Sequence, residues 1–143
     1  MTEADFVTLS RAMRKVDFFA PLTLGDIEQI VKCIMLYRYK AGEVVFRQGD
    51  PGDAFYIVYD GKVSVRLRRY WVFSKVLARL GAGEFFGATA LMSSEPRNAG
   101  VVCEEPTRLF VLLSADFAYT VKKNPAFAAE MRKMMERQKF LSK

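Results

Sequence analysis

Histidine is absent from the sequence. That removes the side chain most often used as a general base and the commonest metal ligand. Cysteine is scarce: Cys33 and Cys103 lie far apart, without Cys-x-x-Cys spacing and among apolar neighbours. The pattern predicts two buried free thiols in a reducing compartment, not a disulfide framework. Long apolar runs are missing as well. The longest, Ala54 to Tyr59, is far short of the ~20 residues that span a bilayer. The N-terminal Met1-Thr2-Glu3-Ala4-Asp5 is acidic and polar, unlike a secretory signal. No Gly-x-x-x-x-Gly-Lys loop, nucleophile triad or cluster of metal ligands can be picked out. The expectation is a cytoplasmic chain that is not an enzyme, with no catalytic residues, metal or cofactor.

What is present suits a folded globule. The 143 residues are 51% apolar, enough for one domain with a core. Lysine and arginine number 22 against 16 aspartates and glutamates, a formal charge of +6 spread along the chain. A solvated surface accounts for most of that excess; attraction to an anionic ligand, membrane surface or acidic partner is the alternative.

The hydrophobic period changes along the chain. Thr2 and Asp5 make a loose capping box before an amphipathic helix over residues 3–16. Thr23 caps a second helix over Leu24–Met35, with Ile27, Ile30, Val31 and Ile34 on one face. From Leu36 the alternation is strand-like, and short strands follow at 36–40, 43–47, 54–59, 62–68, 73–80, 100–103 and 108–113. Asp60-Gly61 is a hairpin signal between two of them. Regular strands bounded by glycines indicate a β-sandwich or jelly-roll barrel. Ser114 caps a helix over 115–122, and Asn124-Pro125 ends it and starts a last helix. Phe127, Met131, Met134, Met135 and Leu141 stripe that helix, which carries Arg132, Lys133, Arg137 and Lys139 on its other sides.

The stretch from Gly81 to Val101 carries the functional signal. Phe85-Phe86-Gly87 leads into a short helix-forming run, Ala88 to Met92, and a loop then brings Pro96-Arg97-Asn98-Ala99. Gly87 permits close backbone approach to a ligand. The first amides of the following turn have no partner within their own helix, and with the dipole behind them they favour phosphate. Arg97 is placed to add a charged, bidentate contact.

Phe86-Gly87-Ala88-Thr89-Ala90-Leu91 followed by Pro96-Arg97-Asn98-Ala99-Gly100-Val101 resembles the phosphate-binding cassette of cyclic nucleotide-binding domains. Ala41 to Val58 is a second region of resemblance, and together the likeness covers about residues 18–140. It resembles most of all the regulatory domains of bacterial cyclic nucleotide-gated channels, and also those of protein kinase A regulatory subunits. The resemblance implies a mainly β fold with flanking helices, an eight-stranded jelly-roll β-barrel with N-terminal helices and a C-terminal lid helix. It makes residues 1–143 one domain: N-terminal helices at 1–35, the barrel at 36–114 with the cassette at 85–100, and C-terminal helices at 115–143. The implied ligand-binding residues are Phe86, Gly87, Ala88, Thr89, Arg97, Asn98 and Ala99, with Arg137 of the lid at a position of base contact in some channel domains. Asn98 stands where the family carries Ala, Ser or Thr, and is equally readable as a turn residue.

Two positions depart from the family pattern. Ala88 replaces the glutamate that accepts the ribose 2′-hydroxyl, and Gly100 replaces a threonine. The phosphate contacts are untouched by the first change. Two functions are therefore expected side by side: a cAMP or cGMP sensor of reduced affinity, or a degenerate fold serving as a protein-interaction scaffold without nucleotide. A protein effector or a second copy of the domain is a further possible partner. Nucleic-acid binding is not expected. A solvated strand face is the first reading of Arg66, Arg68, Arg69, Tyr70 and Trp71; membrane or partner contact through Trp71 is the lesser one.

Overall fold

Ala54–Tyr59 is buried on both of its faces, which explains its continuous apolar character. In the computed structural model, which describes all residues except 17, 18, 21, 70–72, 94, 124, 127, 130, 131 and 134–143, this segment lies in strand β3 (Ala54–Asp60). Ala54, Tyr56 and Val58 turn one way and meet Val63, Val101 and Cys103. Phe55 and Ile57 turn the other way into a cluster with Leu9, Met13, Ile30 and Phe117. Side chains alternate across a strand, so a run apolar at every position has to be covered twice. Each such side chain contributes about 1.5–3 kcal/mol on burial.

The described residues form eight strands and four helices in the order α1 (Glu3–Arg14), α2 (Leu24–Cys33), β1 (Met35–Tyr39), β2 (Val44–Phe46), β3, β4 (Lys62–Arg69), β5 (Phe73–Gly81), β6 (Phe85–Phe86), α3 (Thr89–Met92), β7 (Gly100–Cys103), β8 (Thr107–Leu113) and α4 (Ser114–Lys122). Two four-stranded sheets, ordered β1-β8-β3-β6 and β2-β7-β4-β5, pack face to face, and every paired strand is antiparallel. The architecture is the expected jelly roll with flanking helices, open as two sheets instead of closed as a single barrel. The helices cover the outer side of the first sheet, where Phe19 meets Phe55 edge-on with ring centroids 5.7 Å apart. No described helix is long and apolar enough to cross a membrane.

Local signals place both N-terminal helices. Thr2 Oγ1 accepts from Asp5 N–H at 3.2 Å while Asp5 Oδ2 accepts from Thr2 N–H at 2.8 Å. Thr23 and Asp26 repeat the exchange at 3.1 and 3.2 Å. The second helix stops at Cys33, two residues before its expected end, because Ile34 is already extended and Met35 pairs with Val111 in the sheet.

Asp60-Gly61 does not close a hairpin. Strands β3 and β4, consecutive in sequence, belong to different sheets, and the turn is a corner between layers. A second crossing at residues 104–107 lies against it. Glu104 N–H donates to Lys62 O at 2.9 Å, and Lys62 N–H donates to Thr107 Oγ1 at 3.2 Å. Gly61 has φ of 99°, and a Cβ there would stand 2.6 Å from Pro106 O, so glycine is required on both counts. Residues 125–126, 128–129 and 132–133 are helical, at the beginning of the expected last helix. Its Phe127, Met131, Met134, Met135 and Leu141 lie outside the described residues, as do Arg137, Tyr70 and Trp71.

Candidate functional site

The cassette begins where β6 ends. Phe85 and Phe86 pair with Ile57 and Tyr56 of β3, and Gly87 then turns the chain with φ of 79°. The helical turn behind it is formed by Ala90 N–H to Gly87 O at 3.2 Å and Leu91 N–H to Ala88 O at 3.1 Å. Ala88 and Thr89 precede the first of these bonds, so the helical turn makes no use of their amides. Gly87 is required sterically as well: a Cβ would lie 3.0 Å from Arg97 Nη1 and 3.1 Å from Ala54 O.

Arg97 returns over the same spot. Its backbone is clamped by the preceding loop: Arg97 N–H donates to Asp50 O at 2.8 Å, and Gly49 N–H donates to Arg97 O at 2.7 Å. The side chain is only 6% exposed. Nη2 donates to Ala54 O at 2.6 Å and Nη1 to Gly87 O at 3.3 Å. The guanidinium lies 4.1 Å from the centre of the Phe46 ring, a cation–π contact. Nε is buried and has no hydrogen-bond partner among the described residues. Burial pulls the guanidinium pKa down, and the nearby Tyr56, Asp53 and Asp50 oppose that pull. An arginine remains charged under such conditions, so a partly desolvated cation that has not used all of its N–H donors sits beside the cassette turn.

Phe86, Gly87, Ala88, Thr89, Arg97, Asn98 and Ala99 line one cavity of about 200 Å³. Seven of the eight residues singled out in the sequence are thus brought together; the eighth, Arg137, lies outside the described residues. The remaining walls are Phe46, Val65, Phe85 and Val101. An aromatic group stands behind them, with Tyr56 and Phe86 stacked at 4.9 Å and 10°. Among the described residues no carboxylate lines the cavity.

Residues 36–124 match the family model described as the cyclic nucleotide-binding domain. The chain belongs to this family. A putative potassium channel protein of Rhodopseudomonas palustris is 33% identical over 132 residues, covering 92% of this chain and 32% of that protein. A cyclic nucleotide-gated potassium channel of Mesorhizobium japonicum is 35% identical over 129 residues, covering 90% and 34%. This chain therefore spans about a third of the length of these curated relatives. Among solved structures, the regulatory domain of Toxoplasma gondii PKA with cAMP superimposes with a TM-score of 0.82 at 26% identity, over 94% of this chain and 50% of that one.

As a cyclic nucleotide-binding domain, the chain has a cassette with distinctive chemistry. The methyl group of Ala88 packs against the helix-side core cluster as well as the cavity. Glu84 offers no replacement carboxylate, because its Oε1 accepts from Gly81 N–H at 3.0 Å and closes the turn before the cassette. Thr89 and Asn98 are exposed at the cavity mouth. A Cβ on Gly100 would stand 3.4 Å from Phe46 O, close to an ordinary contact, so the packing around it does not demand glycine.

Five further contributors lie outside the residues that the sequence pattern marks. They are Phe46 beneath the guanidinium, the carbonyl of Ala54, and the Gly49–Asp50 clamp with Gly52. A Cβ on Gly52 would lie 3.0 Å from Glu95 O and 3.4 Å from Ala90 Cβ, so this loop packs on both limbs of the cassette. The glycine-rich pattern at 48–53 was visible, but it signals a turn without saying what the turn holds.

Proposed function

We propose that this domain binds a cyclic nucleotide through the cassette, with reduced affinity, and acts as a sensor for an effector. The observation that carries the reading is the buried guanidinium of Arg97, a residue that lines the same cavity as Gly87, Ala88 and Thr89. An anionic phosphodiester supplies the acceptor that Nε and the unused amides lack. Asn98 and, from the lid helix, Arg137 are the proposed contacts to the base; lid closure is the proposed output, by preferential binding to the closed state.

Ala88 sets the strength. Without a carboxylate, the ribose forfeits a charge-assisted hydrogen bond worth roughly 1.5–3 kcal/mol, about ten- to a hundredfold in affinity.

Specific observations also favour the scaffold reading. Ala88 is engaged with the helix-side core, Arg97 is already held by two carbonyls, and the cavity of about 200 Å³ is below the ~300 Å³ at which small-molecule sites usually begin. Calorimetry with cAMP and cGMP separates the two. The sensor reading expects heat from the parent chain, tighter binding by Ala88→Glu, and none by Arg97→Ala. Absence of heat from both the parent and Ala88→Glu would instead leave the scaffold.

A further inference from the structure

The outer face of the β2-β7-β4-β5 sheet holds a second feature, which the cassette does not use. Val63 and Val65 of β4 turn into the core, so Ser64, Arg66 and Arg68 lie on the opposite face of the sheet, with Ser64 covered there. Arg66 pairs with Gly100 of β7, whose missing side chain leaves a notch in the sheet surface. The notch opens into a groove of about 320 Å³, walled by Val44, Phe46 and Val102 and rimmed by Arg47, Arg66 and Arg68.

The groove is built, not merely basic. Ser64 is fully buried and its Oγ accepts from Arg66 Nε at 2.9 Å, which fixes the direction of that guanidinium. Gln48 Oε1 accepts from Arg68 N–H at 2.8 Å and ties the end of β2 to β4. Among the described residues the ion pairs are Arg79 with Glu104 and Arg108 with Asp60. None of the three rim arginines has a carboxylate within ion-pair distance there. Three cations around an apolar floor lack a counter-charge among the described residues, on a chain of net charge +6.

We propose that this groove binds an acidic segment of a partner protein, an extended peptide alternating carboxylate and aliphatic side chains. Carboxylates pair with the guanidinium forks in bidentate fashion, and the small aliphatic side chains rest on Val44, Val102 and the Gly100 notch. The shape discriminates among polyanions. A membrane surface meets protruding groups, whereas this site is concave. Single-stranded nucleic acid is held by aromatic stacking platforms, whereas the one aromatic among the described lining residues, Phe46, has its ring engaged on the other side with Arg97, Tyr56 and Phe86.

The test uses the 143-residue chain and fluorescence anisotropy with a fluorescein-labelled peptide of alternating glutamate and valine. The comparison probes are its glutamine-for-glutamate counterpart, phosphatidylcholine–phosphatidylserine vesicles and a single-stranded DNA oligonucleotide. The acidic peptide is expected to bind, to weaken with salt, and to bind about tenfold or more weakly to Arg66→Gln/Arg68→Gln. Arg11→Gln/Arg14→Gln, which removes the same charge from α1, is expected to bind like the parent. Absence of peptide binding, equal losses in the two double variants, or tighter binding of the vesicles or the oligonucleotide would overturn the proposal.

Discussion

Replacing Gly87 with alanine separates the backbone demand of the cassette from the demand of its neighbours. Residue 87 has φ of 79°, and an L-residue in that region costs roughly 1–2 kcal/mol. The new methyl carbon would also stand 3.0 Å from Arg97 Nη1 and 3.1 Å from Ala54 O. Relieving such a clash in a packed interior costs about 1–3 kcal/mol more. Gly42 is the matched control: its φ is 83°, and nothing lies within 4 Å of a Cβ built there. Urea denaturation should therefore show Gly87→Ala losing about 2–5 kcal/mol and Gly42→Ala only ~1–2 kcal/mol. In an Arg97→Ala background part of the excess should vanish, because one of the two crowding atoms is gone. Equal losses at the two glycines would mean that the guanidinium does not pack on the cassette turn.

Three further outcomes follow from single contacts. Thr23→Ala removes the acceptor for Asp26 N–H and should cost about 1 kcal/mol in thermal unfolding, so an unchanged stability would contradict the cap. The Arg108 guanidinium, hydrogen-bonded to Asp60, holds that carboxyl below its ordinary pKa. Such a group contributes stability at pH above about 3.9 and loses it as pH falls through its folded pKa; Asp60→Asn should flatten that acid limb, and an identical acid profile would refute the pairing. Burial raises both thiol pKa values, and Cys103 is fully buried whereas Cys33 is partly exposed. A thiol reagent at neutral pH should label Cys33 first in the native state, and equal rates would contradict that burial.

The parts of the fold legible in the sequence are those set by near neighbours. Thr2 with Asp5 and Thr23 with Asp26 announce two helix starts within four residues each. The unbroken run from Ala54 announces a strand covered on both sides. The cassette was legible because its demands are local too: a glycine at positive φ, a short helical turn and an arginine at fixed separation. Long-range pairing was less visible. Asp60-Gly61 has hairpin chemistry, yet the paired crossings at 60–62 and 104–107 send the chain to the other sheet. Phe85–Phe86 is too short to show a period, and its strand character comes from Tyr56 and Ile57. Phe46 reads as one more alternating strand residue; only the folded chain brings its ring under Arg97.

The most direct measurement is a titration of the isotopically labelled protein with cAMP and cGMP, followed by proton–nitrogen NMR of the backbone amides and arginine Nε–H groups. The Arg97 Nε–H, the Ala88 amide and the Thr89 amide should shift together over one range of ligand concentration. Ligand saturation with those three signals unmoved, or no shift anywhere with either nucleotide, would contradict the anion site.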